Sequence, residues 1–411
     1  MQYFLRFGTN HRAEETNHMH AHNIVHRFIE RHLTCIHAAR RAVLCAAVGA
    51  LMQGSFLSLS RLARGVIGEA GLKAALKRID RLIGHPRIEA EAKAVAAAII
   101  ERAKKAAGTL VIAIDWSAMG PGGKFVELRA ALTVPGKGRG MTLYQQVYPL
   151  AKLGNPKAES ALLDALYGWI GNEVKVIIIT DAGFRRAWFA HLDRLGWAWI
   201  GRVRGNARLS QRSSGRWYWA GVRRWFAKAS GKAQRFIDCR LTRKAAFPCD
   251  VVLVRRRGQR RKDYRCPGHG STPKAAREAR LGANEPWLLV HSAQLRAYRP
   301  DEIVAFYANR MQIEENFRDN KSTFYGMGQE MSRSRSAPRL QALSMIATLA
   351  AFLMWHIGQL AEAEGAHRRF KVTTRTAREL SIITLARLLC ALPALPLTDT
   401  AIQALYLRLG V

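Results

Sequence analysis

The chain has 411 residues, and its 65 Lys and Arg against 30 Asp and Glu give a formal net charge of +35. That charge exceeds what solubility requires and marks a partner of polyanions. Apolar residues at 49% and aromatics at 9% exclude a disordered cationic tail and describe a packed globular protein of roughly two to four domains, or one core with insertions.

Residues 1–19 lack the apolar core and small-residue cleavage site of a signal peptide and read as an unstructured extension, with Met19 an alternative start. The histidines before residue 40 share no helical face, so they read as solvated side chains rather than metal ligands. Residues 20–105 are Ala-rich amphipathic runs broken at Gly54-Ser55, Gly65, Gly68, Gly71 and Gly84-His85-Pro86, which predicts helices throughout. In LKAALKRIDRLIG, Leu72, Leu76, Ile79 and Ile83 share one face, and Lys73, Lys77, Arg78 and Arg81 occupy the opposite one. After a Gly-containing turn this fits a helix-turn-helix-like DNA reader, and equally a solvated charged face.

Residues 106–204 change character. TLVIAIDWS reads as a central strand ending in an acid, KFVELRAALTV and MTLYQQVYPL as alternating strands, and VKVIIITDAGF as a second buried strand ending in an acid. With helices at Glu159–Ile170 and Arg186–Leu195 and a last strand in WAWIGRVRG, the order is βββαβαβ, an α/β fold. Residues 205–299 break that rhythm with short β-like pieces and a cationic run from Arg255 to Arg265, which reads as a β-rich insertion. Residues 300–364 return to helix. The apolar run Leu340–Leu360 is long enough to span a membrane, but Gln341, Ser344, Thr348, His356 and Gln359 interrupt it, so it reads as a buried core helix and no membrane partner is expected. Residues 365–411 form a helical tail. The six cysteines are scattered, which fits free thiols in a reducing cytoplasm; Cys239, Cys249, Cys266 and His269 do not have the spacing of a standard zinc knuckle.

The most telling segment is YANRMQIEENFRDNK, residues 307–321, which reads as one helix without Gly or Pro. At 100° per residue, Tyr307, Arg310, Glu314 and Lys321 lie within about 60° of one another, beside an apolar stripe of Ile303, Phe306, Ile313 and Phe317, while Glu315 points toward solvent. Alone, this is a salt-bridge ladder or a functional strip. Asp115 and Asp181, each following an apolar strand, change the balance. A carboxylate there is costly unless paired or bound to a cation. Convergence of Asp115, Asp181 and Glu314 would suit hard divalent ions, magnesium or manganese. Two such ions about 4 Å apart would serve phosphodiester cleavage.

The spacing Y-x2-R-x3-E-x6-K, with DWS at Asp115, TDAGFRRAWF at Asp181, LGWAWIGRVRG, NEPWLLV and KRIDRLIGHPR, resembles the DDE transposases of the insertion sequence 4 family, especially the Tn-ten-type cut-and-paste members. The resemblance runs from about residue 40 to 330. It implies a ribonuclease-H-like catalytic core with a β-rich insertion, a helical N-terminal DNA-binding region and a helical C-terminal tail. Carried over, Asp115, Asp181 and Glu314 are the DDE ligands of two magnesium ions. Arg310 and Lys321 grip phosphates beside Tyr307, and Trp287 stacks on a flipped base. Asn320 departs from an apolar residue in relatives. The expected partners are double-stranded DNA, as terminal inverted repeats and target, and a second copy of the chain in the synaptic complex, acting at the bacterial nucleoid. The rivals are a ribonuclease-H-like nuclease and a non-catalytic DNA-binding protein.

Overall fold

The computed structural model describes residues 21–256, 285–324, 326–374 and 376–411. The N-terminal extension, most of the cationic run to Arg265, and the Cys266 and His269 of the zinc reading lie outside them.

Strands β1 (Thr109–Met119), β2 (Phe125–Leu132) and β3 (Met141–Pro149) form an antiparallel meander. The chain then crosses through α6 (Pro156–Ile170) to β4 (Lys175–Thr180), parallel to β1, and through α7 (Arg186–Arg194) to β5 (Ala198–Arg202), parallel to β4. The β-branched runs of β1 and β4 sit centrally because helices cover both faces there, which lets a strand be apolar throughout. The order predicted from the sequence is the order found.

The β-like pieces that follow are β6 (Arg208–Ser213), β7 (Arg216–Gly221), β8 (Gln234–Leu241), β9 (Phe247–Val254) and β10 (Trp287–His291), with a short helix α8 (Val222–Phe226) after β7. They extend the same sheet. Its order is β3-β2-β1-β4-β5-β10-β9-β8-β6-β7, with β10 pairing antiparallel to β5.

Strand alternation divides this sheet into two unlike faces. Leu110, Ile112, Ile114, Leu128 and Ile178 face a large apolar cluster shared with α5 (Ile88–Ala106), α6 and the long helix α11 (Ala337–Ala363). Ala113, Ile177, Ile179 and Ile200 face a smaller cluster under α9 (Pro300–Ala308) and α10 (Met311–Lys321).

Helix α11 is the one described helix long and apolar enough to span a membrane, and 94% of its most apolar window is buried within the protein. Two of its interrupting polar groups are satisfied by β3. Gln341 accepts from Val147 N at 2.8 Å and donates to Gln145 O at 3.0 Å, and Thr348 donates to Gln145 Oε1 at 2.9 Å. Helices α1 (Ala21–His32), α2 (Ala38–Met52), α3 (Leu59–Arg64) and α4 (Gly71–Ile83) precede α5. Of these, α2 and α4 pack against α11. From the C-terminal side α12 (Ile382–Cys390) and α13 (Asp399–Leu409) do the same.

Candidate active site

The sequence placed both acids at strand ends, and one placement needs correcting. Strand β1 runs on past Asp115 to Met119, because β2 continues to pair with it from Trp116↔Leu128 to Met119↔Phe125. What ends there is its parallel neighbour: β4 stops at Thr180, opposite Ile114. Asp115 and Asp181 therefore sit side by side at the mouth of the crevice left where β4 stops. Asp115 Oδ1 accepts the Trp116 amide at 2.8 Å, and Asp181 Oδ1 accepts the Gly183 amide at 2.8 Å. A Cβ on Gly183 would stand 3.1 Å from that same oxygen, so glycine fits the turn that holds Asp181.

The predicted single helix over 307–321 is two. Helix α9 ends at Ala308 and α10 begins at Met311. Across the joint, the amides of Arg310, Gln312 and Ile313 bond carbonyls three residues back, a tightening no Gly or Pro announces. A tertiary clamp accompanies it: Gln312 accepts from Val134 N at 2.9 Å and donates to Val134 O at 2.8 Å, pinning the first turn of α10 to the chain just past β2.

The joint turns the four residues of the strip to different tasks. Tyr307 is buried, its ring 4.9 Å from Trp287 and nearly perpendicular to it. Arg310 lies between two carboxylates, with Nη1 2.9 Å from Asp115 Oδ2 and Nη2 2.6 Å from Glu314 Oε1. Lys321 Nζ donates to Ser117 Oγ at 2.7 Å, two residues along β1 on the face that carries Asp115. Burial holds the Lys321 ammonium below its usual range.

The electrostatics follow from this crowding. Burial, then the nearby Asp181, push the Asp115 carboxyl up to about 7, against the pull of Arg310 and the Trp116 amide. Burial alone would lower Arg310, but Tyr307, Asp115 and Glu314 outweigh it and raise it. Burial raises the Tyr307 phenol, opposed by Arg310 and Arg202.

Among the described residues, no three His, Cys, Asp or Glu side chains are gathered around a common point as a metal site. The guanidinium of Arg310 occupies the gap between Asp115 and Glu314 and supplies the positive charge there. Carboxylates that draw a buried cation between them have the hard, anionic oxygens that divalent ions take.

One sequence expectation changes. Glu315 is half-buried, not solvent-facing, and ion-pairs with Arg139 at 3.1 Å and with Arg318. The reason is the β2–β3 connection, which brings Arg139 over α10, where it also holds Asp319 at 2.7 Å. Asn320 is buried as well. Trp287, at the start of β10, is half-buried with the Arg256 guanidinium 4.7 Å above its ring. Lys73, Lys77, Arg78 and Arg81 are exposed on α4, away from the carboxylates, and Arg78 donates to Val66 O at 3.1 Å.

The sequence reading passed over two groups. Arg202 ends β5, and its Nε and Nη2 are buried without partners, while Tyr307 supports its charge by a side-chain hydrogen bond. On β2, Glu127 and Arg129 form a 2.9 Å pair that is almost wholly buried, with the Arg129 guanidinium 4.6 Å over the Phe317 ring. Period-two alternation in IGRVR and VELRA carried both signals. They became readable only once the sheet order assigned Arg202, Glu127 and Arg129 to the face that carries Asp115.

Residues 108–353 match the family model described as the transposase DDE domain. No curated protein matches the sequence.

Proposed function

The chain belongs to the transposase DDE-domain family, metal-dependent DNA-cleaving enzymes that carry out transposition, and from that premise we propose that Asp115, Asp181 and Glu314 are its acidic triad, on a ribonuclease-H-like core. The observation that carries the reading is the meeting of three segments distant in sequence: Asp115 level with Asp181 across β1 and β4, and Glu314 joined to Asp115 through Arg310. Two magnesium ions, or manganese, held by these carboxylates would supply activation of the attacking oxygen and charge neutralisation at the scissile phosphate.

The protein's own groups do the rest. Arg310, Arg202 and Lys321 line the cleft with cations whose charge is incompletely spent: Arg310 Nε and two Arg202 nitrogens are buried without partners. A phosphodiester entering the cleft gives them acceptors, so Arg310 exchanges carboxylate contacts for phosphate contacts as DNA binds. Tyr307 props Arg202 and the edge of Trp287, and Trp287 offers a ring on which an extruded base stacks. In this reading the enzyme works by cut and paste. Water opens one strand at the element's end, the freed 3′-hydroxyl attacks the opposite strand to give a hairpin, and the reopened end is joined to target DNA. The exposed Lys73, Lys77, Arg78 and Arg81 on α4 contact the terminal inverted repeats, and two copies pair the two ends.

The deciding experiment uses purified protein, magnesium and a duplex carrying one element end. Asp115→Asn removes a formal charge with little change of shape. It is expected to lower cutting by at least about a thousandfold while leaving DNA affinity within about threefold. Cutting by Asp115→Asn at the wild-type rate overturns the assignment.

A further inference from the structure

The far end of the sheet carries a second charge concentration, well away from the carboxylates. Between residues 205 and 256 there are 13 Lys and Arg and only two acids, Asp238 and Asp250. Both acids are already spent on one cation: Arg296 lies 2.7 Å from Asp238 and 2.6 Å from Asp250. Among the described residues of this stretch, the positive charge of β6, β7 and β8 is thus left without a further acid to offset it.

Register sorts these side chains by face. Ser210 pairs with Trp219 on one side and Arg240 on the other, and Arg212 pairs with Trp217. Leu209, Cys239 and Leu241, on the alternate rows, point into the large apolar cluster. The rows carrying Trp217, Trp219, Arg212 and Arg240 therefore lie on the opposite face, with Arg208 one row further along. The Arg240 guanidinium sits 4.0 Å over the Trp217 ring, a pre-ordered cation on an aromatic support. Beneath this face the Ser210 hydroxyl is fully buried without a hydrogen-bond partner. Arg212 and Arg240 also line a cavity of about 710 Å³. A plain solvated charge face does not bury an unpaired hydroxyl in a row with Trp219 and Arg240, beside an arginine stacked on Trp217.

Resting on the function proposed above, we propose that this face is a second DNA-docking surface, which takes the sugar–phosphate backbone of the duplex whose end lies at the carboxylates. Alternation places it on the same side of the sheet as Asp115 and Arg202. Six strand spacings separate β1 from β6, about 30 Å at roughly 4.8 Å each. That span is roughly nine base pairs of duplex at 3.4 Å per step. The surface adds affinity at a fixed distance from the cut without touching the reacting atoms.

The test is binding, in metal-free buffer and an Asp115→Asn background, so that cutting chemistry does not enter. The probe is a fluorescent duplex carrying one element end with at least fifteen base pairs on each side of the cut, read by anisotropy across a salt series. Arg212→Ala/Arg240→Ala is expected to weaken binding about tenfold near 0.1 M salt and to lower the slope of log K against log salt by about two. The same charge removed elsewhere, Arg368→Ala/Arg369→Ala, leaves both within about twofold. Trimming the duplex to about five base pairs on each side abolishes the difference between the parent protein and the Arg212/Arg240 variant. Arg212→Gln alone, at an exposed side chain, reproduces about half of the slope change and guards against misfolding of the double variant. An unchanged slope in both variants, or a loss that persists on the trimmed duplex, overturns the proposal.

Discussion

On the side of the sheet covered by α5, α6 and α11, strands β1, β2 and β4 present Ile112, Ile114, Leu128 and Ile178 to a cluster that includes Leu343 and Ile346. On the other side, neighbouring residues of the same strands are Asp115, Ser117, Glu127 and Arg129, and the helices above contribute Arg310, Glu314 and Lys321. One strand thus serves two environments through a two-residue period. The apolar side holds the backbone rigid by area burial. The charged side uses that rigidity to hold like charges closer than they would otherwise remain.

The largest test of this contrast lies at the buried pair on β2. Arg129→Met strands Glu127 in the interior and is expected to cost about 3–5 kcal/mol in urea unfolding. Glu127→Leu/Arg129→Met removes both charges and should recover most of that loss. A single substitution that costs under about 1 kcal/mol would mean the charged face bears no such penalty.

The apolar side has its own test in His356 of α11. Its ring lies 4.8 Å from Phe352 and 5.3 Å from Trp355, and both ring nitrogens are buried without partners. Burial, with a smaller push from Arg408, holds its pKa down at about 4. An unfolded chain takes up this proton below its ordinary value of 6.5, the folded chain only below about 4. Stability from this site is therefore complete above pH 6.5 and is lost as pH falls toward 4, by roughly 3 kcal/mol. His356→Leu should flatten that part of the stability–pH curve; an unaltered curve would place the acid sensitivity elsewhere.

The smallest effect belongs to Glu315→Gln. Arg139 keeps Asp319 and Arg318 is exposed, so unfolding should shift by under about 1 kcal/mol, with DNA cutting unchanged. A large loss of cutting would move Glu315 into the site.

Much of the architecture was legible because its signals are local. The apolar runs VIAI and VIIIT and the alternating KFVELRAALTV marked the strands in their order, and the polar interruptions of Leu340–Leu360 marked a core helix. What escaped was set by contacts between distant segments. Nothing in TLVIAIDWS shows that β4 stops one residue short of Asp115's level, or that β2 carries β1 onward. The joint after Ala308 accompanies the grip of Gln312 on Val134, 178 residues away. Arg139 catches Glu315 from a turn that looked like mere punctuation.

Helix α11 gives the molecule a fixed gauge. Its first turn holds α4 through Arg339 and Asp80 at 2.5 Å, and further along it braces β3 and α5. The helix bearing the exposed cations and the sheet bearing the carboxylates are therefore bolted to one 27-residue rod. In the proposed reading, the number of base pairs between the recognised sequence and the cut is a dimension of the protein, as invariant as the gap of a caliper. An element whose repeat drifted by one base pair would present its cutting point a tenth of a helical turn out of phase.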